Sequence, residues 1–345
     1  MSKQGKSWRT STVVRTLLVA TLCGTTATGV YQAVSRYDDN HSSTSASSSS
    51  SPTPTESATP FTSAEAGSCL TWTPGGNGAV EELEHVDCAV EHRFEVSTVA
   101  ALDKNEFGPG ANRPDANRQA QIRQQMCQDP TVKYLEDRYD PKGRFSISAI
   151  LPPADKWKAG DRTVVCGLQI ADRTGIPQPY AGRVADQDQA RTFQPGTCTT
   201  VDNSQQVIPV NCADPHQIEH TKVVDLDKLF PGEVPTVEEQ DKKLAEVCHD
   251  AAVEFVGGDD KLTKTTLQPY WGVLAPERIN GGSHSINCGL VKGKGSGEFA
   301  ALAGSAKDNL TIDGQPPQSP KPDDKKKDQA PPPPAPVPVA PRPGD

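Results

Sequence analysis

Apolar positions at helical spacing mark one segment of the chain most clearly. After Pro235 the apolar residues follow an i, i+3, i+4, i+7, i+8, i+11 pattern: Leu244, Val247, Cys248, Ala251, Ala252 and Phe255. Thr236 and Glu239 have the spacing of a capping box, and Gly257-Gly258 follows the last apolar position. The pattern predicts an amphipathic helix that ends at these glycines and buries Cys248.

A shorter helix is predicted over residues 117–127, with Ile122 and Met126 beside Cys127. Pro130, three residues further on, is expected to break or kink this helix. Five other segments alternate in polarity or carry β-branched residues, which indicates strands. These segments are residues 94–101, 145–151, 163–170, 218–224 and 285–291. We therefore expect an α+β fold with two tandem modules, each a small antiparallel sheet with one helix.

An internal repeat supports the division into two modules. Each copy places a His four residues and a Glu seven residues after a Cys: Cys88, His92 and Glu95, then Cys212, His216 and Glu219. Successive cysteines are 19, 39 and 39 residues apart in the first copy and 14, 36 and 40 residues apart in the second. Two modules of about 100 residues, a common size for small domains, are predicted.

Eight of the nine cysteines fall into two groups of four: Cys69, Cys88, Cys127, Cys166, and Cys198, Cys212, Cys248, Cys288. Such even sets are typical of disulfides in an oxidising compartment. Two structural zinc sites are the alternative, but they usually show closer ligand pairs, so we expect no metal and no cofactor. The element positions favour the pairs Cys69–Cys88, Cys127–Cys166, Cys198–Cys212 and Cys248–Cys288, although four cysteines allow three connectivities.

The N-terminus has the pattern of a membrane anchor. Basic residues in a cytoplasmic stub, residues 1–15, precede an apolar segment at residues 16–34, and this asymmetry places the rest of the chain outside the cell membrane. A single-pass transmembrane helix is expected, and whether this signal-anchor segment is cleaved stays open. Lipidation of Cys23 is disfavoured because Leu22 precedes it.

Composition separates the modules from low-complexity segments. Only 34% of the residues are hydrophobic and 31 are proline. We expect a Ser/Thr/Pro-rich tether at residues 35–66, module 1 at 67–172, a linker at 173–195, module 2 at 196–292 and a disordered Pro/Lys-rich tail at 293–345. The net charge of −9 argues against nucleic acid as a partner.

One stretch resembles a catalytic motif. His216, Glu219 and His220 fit the H-x-x-E-H pattern of zinc peptidases. The first copy has Val96 in place of the second His, and the stretch is predicted as a strand, whereas ligands four residues apart need a helix. We therefore expect no catalytic residue and treat His92, Glu95, His216 and Glu219 as candidate binding or structural residues.

Trp157, Asp161 and Arg162 form a second candidate group. Module 2 has residues 279–284 in their place, which keep the glycine of the turn but lose the aromatic ring and the charges. We interpret the group as a tryptophan packed beside a turn that the Asp–Arg pair holds, with a binding role as the alternative.

With the Gly-x-Cys openings, the Cys-x-x-x-His-x-x-Glu repeats and the Trp-Lys-Ala-Gly-Asp-Arg segment that ends at Arg162, the chain resembles the septum-formation domain of actinobacterial envelope proteins. The second copy is degenerate because it lacks the Trp-x-x-Gly-Asp-Arg element. The resemblance implies an extracytoplasmic, membrane-anchored protein of septum formation and cell-envelope maintenance, and it transfers no catalytic residues.

The expected function is a non-enzymatic binding or scaffold protein whose partner is an envelope or septal protein or the wall polymer. The alternative is a metal-dependent cell-wall hydrolase that uses the His-x-x-Glu-His stretch. A sensor that passes a signal inward is disfavoured because a cytoplasmic stub of about a dozen residues leaves little chain to carry it. The ligand and the oligomeric state stay open.

Overall fold

The structure is a computed structural model that describes residues 60–73, 75, 80, 82–202, 206–294 and 297–318. The predicted stub, the apolar segment at 16–34, most of the tether and the end of the tail lie outside these residues. Within the described ranges, no helix has both the length and the apolar character needed to cross a bilayer.

The first module contains six strands: β1 (Cys69–Thr71), β2 (Glu84–Val86), β3 (Phe94–Ala101), β4 (Ser146–Ile150), β5 (Thr163–Ala171) and β6 (Pro177–Gln178). Five of them form an antiparallel sheet in the order β2-β1-β3-β5-β4, and β6 pairs with the end of β5. The helices are α1 (Ala116–Ile122), α2 (Gln128–Tyr134) and α3 (Ala154–Lys158). A π-helical turn, Arg123–Cys127, joins α1 to α2, and a 3₁₀ turn occupies Val184–Asp186.

The second module repeats this topology. Its strands are β7 (Cys198–Val201), β8 (Val207–Val210), β9 (Ile218–Asp225), β10 (Gln268–Trp271), β11 (Ser285–Val291), β12 (Leu302–Ser305) and β13 (Asp308–Ile312). The order β8-β7-β9-β11-β10 matches module 1 strand for strand, and β12–β13 forms a separate hairpin. The helices are α4 (Leu226–Leu229), α5 (Val237–Val256), α6 (Asp259–Thr265) and α7 (Pro276–Asn280).

The mixed fold with antiparallel sheets is confirmed, but each module has more than the one helix expected. In module 2 the long helix has the predicted capping box, and it ends at Gly257, whose φ of 83° is left-handed. In module 1 the helix continues past Pro130 to Tyr134. The π-helical turn precedes this proline, whose ring would clash with the carbonyl four residues earlier in a regular α-helix.

Four disulfides join the expected pairs: Cys69–Cys88, Cys127–Cys166, Cys198–Cys212 and Cys248–Cys288. The second and the fourth join the main helical segment of a module to β5 or β11, the strand next to the central strand of the sheet. The sulfurs of these helix-to-strand disulfides belong to fully buried residues in the core between helix and sheet. Each core is therefore crossed by a covalent bond.

The predicted boundaries of the low-complexity segments need correction. At the end of the predicted tether, Ala64 is buried and Phe61 packs against the core of module 1. In the predicted linker, Tyr180 and Val184 are buried in that same module. These residues pack because isolated apolar side chains within polar or proline-rich sequence still gain from burial.

The prediction of a disordered tail at residues 293–345 is wrong for the first part of that segment. Residues 302–312 form the β12–β13 hairpin, and Leu302 is buried against the end of α5 and against α6. The apolar side chains of this hairpin are too few to show the periodicity of a long element, yet they complete the core of module 2.

Candidate functional site

The repeated Cys, His and Glu residues form one cluster in each module. Node 1 consists of Cys69, Cys88, His92 and Glu95, and the antiparallel register of β1 and β3 places Cys69 opposite Glu95. In node 2 the register of β7 and β9 places Cys198 opposite Glu219 in the same way, beside Cys212 and His216. The sequence repeat is therefore a repeat of three-dimensional structure.

His92 is completely buried, and its ring orientation is fixed by one hydrogen bond. The ring Nδ1 lies 2.9 Å from the carbonyl oxygen of Val90. Because a carbonyl oxygen can only accept a hydrogen bond, Nδ1 carries the ring hydrogen and is the donor of this bond. The other ring nitrogen, Nε2, then has a lone pair, and among the described residues it has no hydrogen-bond partner.

Glu95 is also completely buried, and both of its carboxylate oxygens accept hydrogen bonds. The hydroxyl of Tyr134 donates to Oε1 at 2.6 Å, and the backbone N–H of Val184 donates to Oε2 at 2.7 Å. Burial raises the pKa of Tyr134, and the bond to Glu95 and its charge raise that pKa further, so the hydroxyl keeps its proton. Charge-assisted bonds of this kind stabilise a buried carboxylate.

Node 2 repeats this arrangement with other donors. Nδ1 of His216 donates to the carbonyl oxygen of Asp214 at 2.9 Å, and Nε2 again has no partner within the described chain. Glu219 accepts a bond of 2.5 Å from the hydroxyl of Ser305 and one of 2.6 Å from the backbone N–H of Ala306. Among the described residues, the partners of this carboxylate therefore both belong to the hairpin.

A short extended segment closes each node, and we call residues 177–184 strap 1 and residues 299–306 strap 2. In strap 1, Tyr180 exchanges two backbone hydrogen bonds with His92, of 2.8 and 2.9 Å. Gly182 then donates its backbone N–H to the carbonyl oxygen of Cys88 at 2.7 Å, before Val184 reaches Glu95.

Strap 2 makes the same contacts. Leu302 exchanges two backbone bonds with His216, of 2.9 and 2.7 Å, and Gly304 donates to the carbonyl oxygen of Cys212 at 2.7 Å. Sequence reasoning missed both straps. The signal that could have found them is the dipeptide Ala-Gly after Tyr180 and after Leu302, with both glycines at positive φ.

The group Trp157, Asp161 and Arg162 holds the turn before β5. Trp157 is buried and donates its indole N–H to the carbonyl oxygen of Ala111 at 2.8 Å, while the Arg162 guanidinium lies over its ring at 4.0 Å. Asp161 accepts bonds from Thr163 and from the backbone N–H of Phe61. The group therefore stabilises the turn before β5, and its Asp161 also holds the segment around Phe61 that leads into module 1.

The boundary between the modules contains an ion pair, with a buried carboxylate and a partly exposed guanidinium, that sequence reasoning missed. Asp140 is 1% exposed, lies 2.9 Å from the guanidinium of Arg278, and accepts a bond of 2.5 Å from the hydroxyl of Ser283. Gln189 links module 1 to module 2. Its side chain makes hydrogen bonds with the backbone of Arg138 and Asp140, and its backbone N–H donates to the carbonyl oxygen of Gly282. The only sequence signal is Gly281-Gly282, where a side chain would collide with module 1 or with Gln189.

A cleft of about 370 Å³ lies at this boundary, and its lining includes Asp186, Asp188, Asp225, Asp227 and His284. His284 donates its backbone N–H to Asp188 at 2.8 Å, and its ring Nδ1 lies 3.0 Å from Asp227. The Asp188 carboxylate, in the segment between the modules, therefore helps to hold that segment against module 2, whereas the contact between Asp227 and His284 lies within module 2.

The geometry gives no support to the hydrolase alternative. Glu219 and His220 are successive residues of β9, so their side chains point to opposite faces of the sheet. His220 bonds Thr199 at 3.0 Å and stacks on Phe193, and burial lowers its pKa to about 4. Within the described residues, no group of possible metal ligands includes both His216 and His220.

Comparison with known proteins gives a family assignment. The model of a family described as "Septum formation" matches residues 66–288, which is more than half of the chain. The match covers both nodes and strap 1, and it ends before strap 2. No solved structure matches.

Two curated relatives, both named as uncharacterized membrane proteins, come from Mycobacterium tuberculosis strains CDC 1551 / Oshkosh and ATCC 25618 / H37Rv. Each is 34% identical over 267 residues, which cover 75% of this chain and 59% of the relative. The chain thus spans about three fifths of the length of the curated relatives that it matches.

Proposed function

This chain belongs to the septum-formation family, and from that membership we propose that it is a non-enzymatic scaffold that binds a protein partner at the division septum. The predicted segment at 16–34 anchors it in the membrane, and the two modules form its extracytoplasmic part. The names of the curated relatives as membrane proteins support the anchor.

The observation that carries this proposal is the complete burial of both node carboxylates. A general acid or base must reach the proton that it transfers. Glu95 and Glu219 are at most 1% exposed, and each accepts two hydrogen bonds from its own chain. These carboxylates therefore hold the straps, and this structural role favours a binding function over catalysis.

The four disulfides support an extracytoplasmic location, because disulfides persist in oxidising compartments and are rare in the cytosol. The boundary supports a scaffold role. Asp140 and Arg278 form a largely buried ion pair with a further bond from Ser283, so a partner meets one continuous two-module surface.

The experiment is localisation of the full chain, fused to a fluorescent protein that matures outside the membrane, in dividing actinobacterial cells. We expect fluorescence concentrated at the septum. Arg278→Gln leaves Asp140 without its cation and should reduce the septal enrichment several-fold. Arg138→Gln, which alters an exposed ion pair with Glu136, is the matched control and should localise like the wild type.

An even distribution of the wild-type fusion along the envelope would contradict the septal role. Retention of the purified full chain by isolated wall polymer, without any septal protein, would assign the partner to the polymer instead. Release of soluble wall fragments by the purified full chain would contradict the non-enzymatic role.

A further inference from the structure

We propose that reduction of the Cys69–Cys88 disulfide converts node 1 into a binding site for a zinc ion. Cys69 Sγ, a ring nitrogen of His92 and a carboxylate oxygen of Glu95 lie within 4.8 Å of one another, and all three residues are buried. Thiolate, imidazole and carboxylate are ligands that zinc takes in proteins. Cys88, which is bonded to Cys69 in the oxidised chain, supplies the fourth ligand.

The hydrogen bonding of His92 leaves one ring nitrogen available to a metal ion. Its Nδ1–H donates to the Val90 carbonyl, which leaves the lone pair on Nε2. A zinc-bound histidine commonly donates its other ring N–H to a carbonyl or a carboxylate in this way. In the part of the chain that the structure describes, Nε2 is buried and has no hydrogen-bond partner, so a bound cation would satisfy it.

Glu95 is held in the same manner. The Tyr134 hydroxyl and the Val184 N–H fix the two carboxylate oxygens, as hydrogen bonds commonly do for carboxylates that bind metal ions. Each oxygen has a second lone pair, so both bonds can persist while one oxygen binds the metal.

Zinc binding requires the three grouped ligand atoms to move closer together and the two sulfurs, which are bonded to each other in the disulfide, to separate. Zinc bonds of about 2.0–2.3 Å in a tetrahedron place ligand atoms about 3.3–3.8 Å apart. Atoms that lie within 4.8 Å must therefore approach one another by up to about 1.5 Å. The disulfide prevents this as long as it is intact, because zinc binds a thiolate and not a disulfide sulfur.

The chemical step is a thiol–disulfide exchange followed by metal binding. A dithiol reductant attacks the disulfide, gives two electrons and becomes a disulfide itself, which leaves Cys69 and Cys88 as thiols. Zinc then displaces the two thiol protons. Cys88 keeps 9% of its surface exposed, whereas Cys127 and Cys166 are fully buried, so the reductant reaches the node before the disulfide of the core.

Node 2 presents a related set of ligands. Cys198, Cys212 and Glu219 have ligand atoms within 4.8 Å of one another, and His216 lies outside that group. The pair of a buried cysteine and the strand glutamate therefore recurs in the second module, without the histidine. Since His216 is not grouped with the other ligands, node 1 is expected to bind zinc more tightly.

The test uses the purified full chain, treated with graded dithiothreitol, freed of reductant without oxygen and then titrated with zinc or cobalt. We expect no metal at node 1 in the oxidised chain. After partial reduction, cobalt should give a thiolate charge-transfer band, and zinc should protect Cys69 and Cys88 from alkylation while Cys127–Cys166 stays oxidised.

His92→Asn isolates the ligand atom, because the Asn amide retains a donor for Val90 but lacks Nε2. It should lower the zinc affinity of the reduced node at least tenfold, whereas His85→Asn, at an exposed position of β2, should not change it. Tyr134→Phe, which removes a bond to Glu95, provides a second variant and should weaken zinc binding about tenfold.

Equal alkylation of Cys69 and Cys88 with and without zinc would overturn the proposal even if a variant failed to fold. Unchanged zinc affinity in a folded His92→Asn variant would also overturn it, because the thiols alone would then account for binding.

Discussion

The two modules share their strand order, their register and their nodes, but they hold the buried glutamate differently. In module 1, Glu95 is bonded by Tyr134 of helix α2 and by strap 1. In module 2, both partners of Glu219 belong to strap 2. Module 2 therefore depends more on its strap than module 1 does, although sequence composition assigned that strap to a tail without structure.

A second difference lies one residue after each glutamate. The chain has Val96 in module 1 and His220 in module 2, and both are buried. A valine side chain has no ionisable group, whereas a histidine side chain can gain a proton as the pH falls. The same strand position is thus neutral in one module and titratable in the other.

Removal of strap 2 tests the first difference and has the largest expected effect. Truncation after Lys294 deletes two bonds to the Glu219 carboxylate, together worth about 3–6 kcal/mol, and the burial of Leu302, worth about 2 kcal/mol. We expect module 2 to unfold at a much lower urea concentration while module 1 is unaffected. Truncation after Pro317 is the control, and equal unfolding midpoints for both truncations would contradict the role of the strap.

The disulfides give the next largest effect. Replacing Cys248 and Cys288 together by Ala opens a 40-residue loop and should lower the free energy of unfolding by about 4 kcal/mol. The same replacement at Cys198 and Cys212 opens a 14-residue loop and should cost about 3 kcal/mol. Chemical denaturation measures both, and a larger loss for the shorter loop would be inconsistent with the loop-entropy explanation.

The glycines that follow Cys166 and Cys288 have different surroundings in the two modules. A Cβ at Gly167 would overlap the backbone oxygen of Glu95 and the ring of Phe94, whereas one at Gly289 would lie 2.7 Å from the movable side chain of Ile218. Gly167→Ala should therefore cost about 3 kcal/mol and Gly289→Ala about 1 kcal/mol. Thermal unfolding of the two variants checks the order, and equal losses would show that the two strands approach each other equally closely.

Mild acid should lower the stability of module 2 through His220, which module 1 lacks at the equivalent position. Burial lowers the pKa of His220 to about 4, so between about pH 6.5 and 4 the unfolded chain binds a proton that the folded chain excludes. The stability of module 2 is therefore complete above pH 6.5 and falls with pH, by about 2 kcal/mol between pH 7 and 5. In His220→Val this dependence should disappear; its persistence would assign the effect to other groups.

The sequence predicted the parts of the fold that repeat with regular spacing. Alternation and β-branched residues located β3, β5, β9 and β11, and the capping box with Gly257 located α5. The positions of the cysteines along the predicted elements favoured one of three connectivities per module, and the four disulfides have that connectivity. The strands and the helix depend on residues that are close together along the chain, so the spacing of residue types in one sequence is enough to predict them.

The straps and the boundary could not be predicted in the same way. Strap 1 lies in a segment rich in Pro and Gly, and its bonds to His92 and Cys88 are made by the backbone, which side-chain patterns do not report. Asp140 and Arg278 are 138 residues apart, and neither lies in the repeated motif. Their contact follows from how two folded modules pack, which sequence spacing does not encode.

Amide hydrogen exchange of the full chain tests the central claim that a strap closes each node. We expect the N–H groups of Val184 and Ala306, which donate to Glu95 and Glu219, to exchange as slowly as those of the neighbouring sheets. Exchange of residues 299–306 at the rate of an unstructured peptide, with the sheet of module 2 still protected, would contradict it.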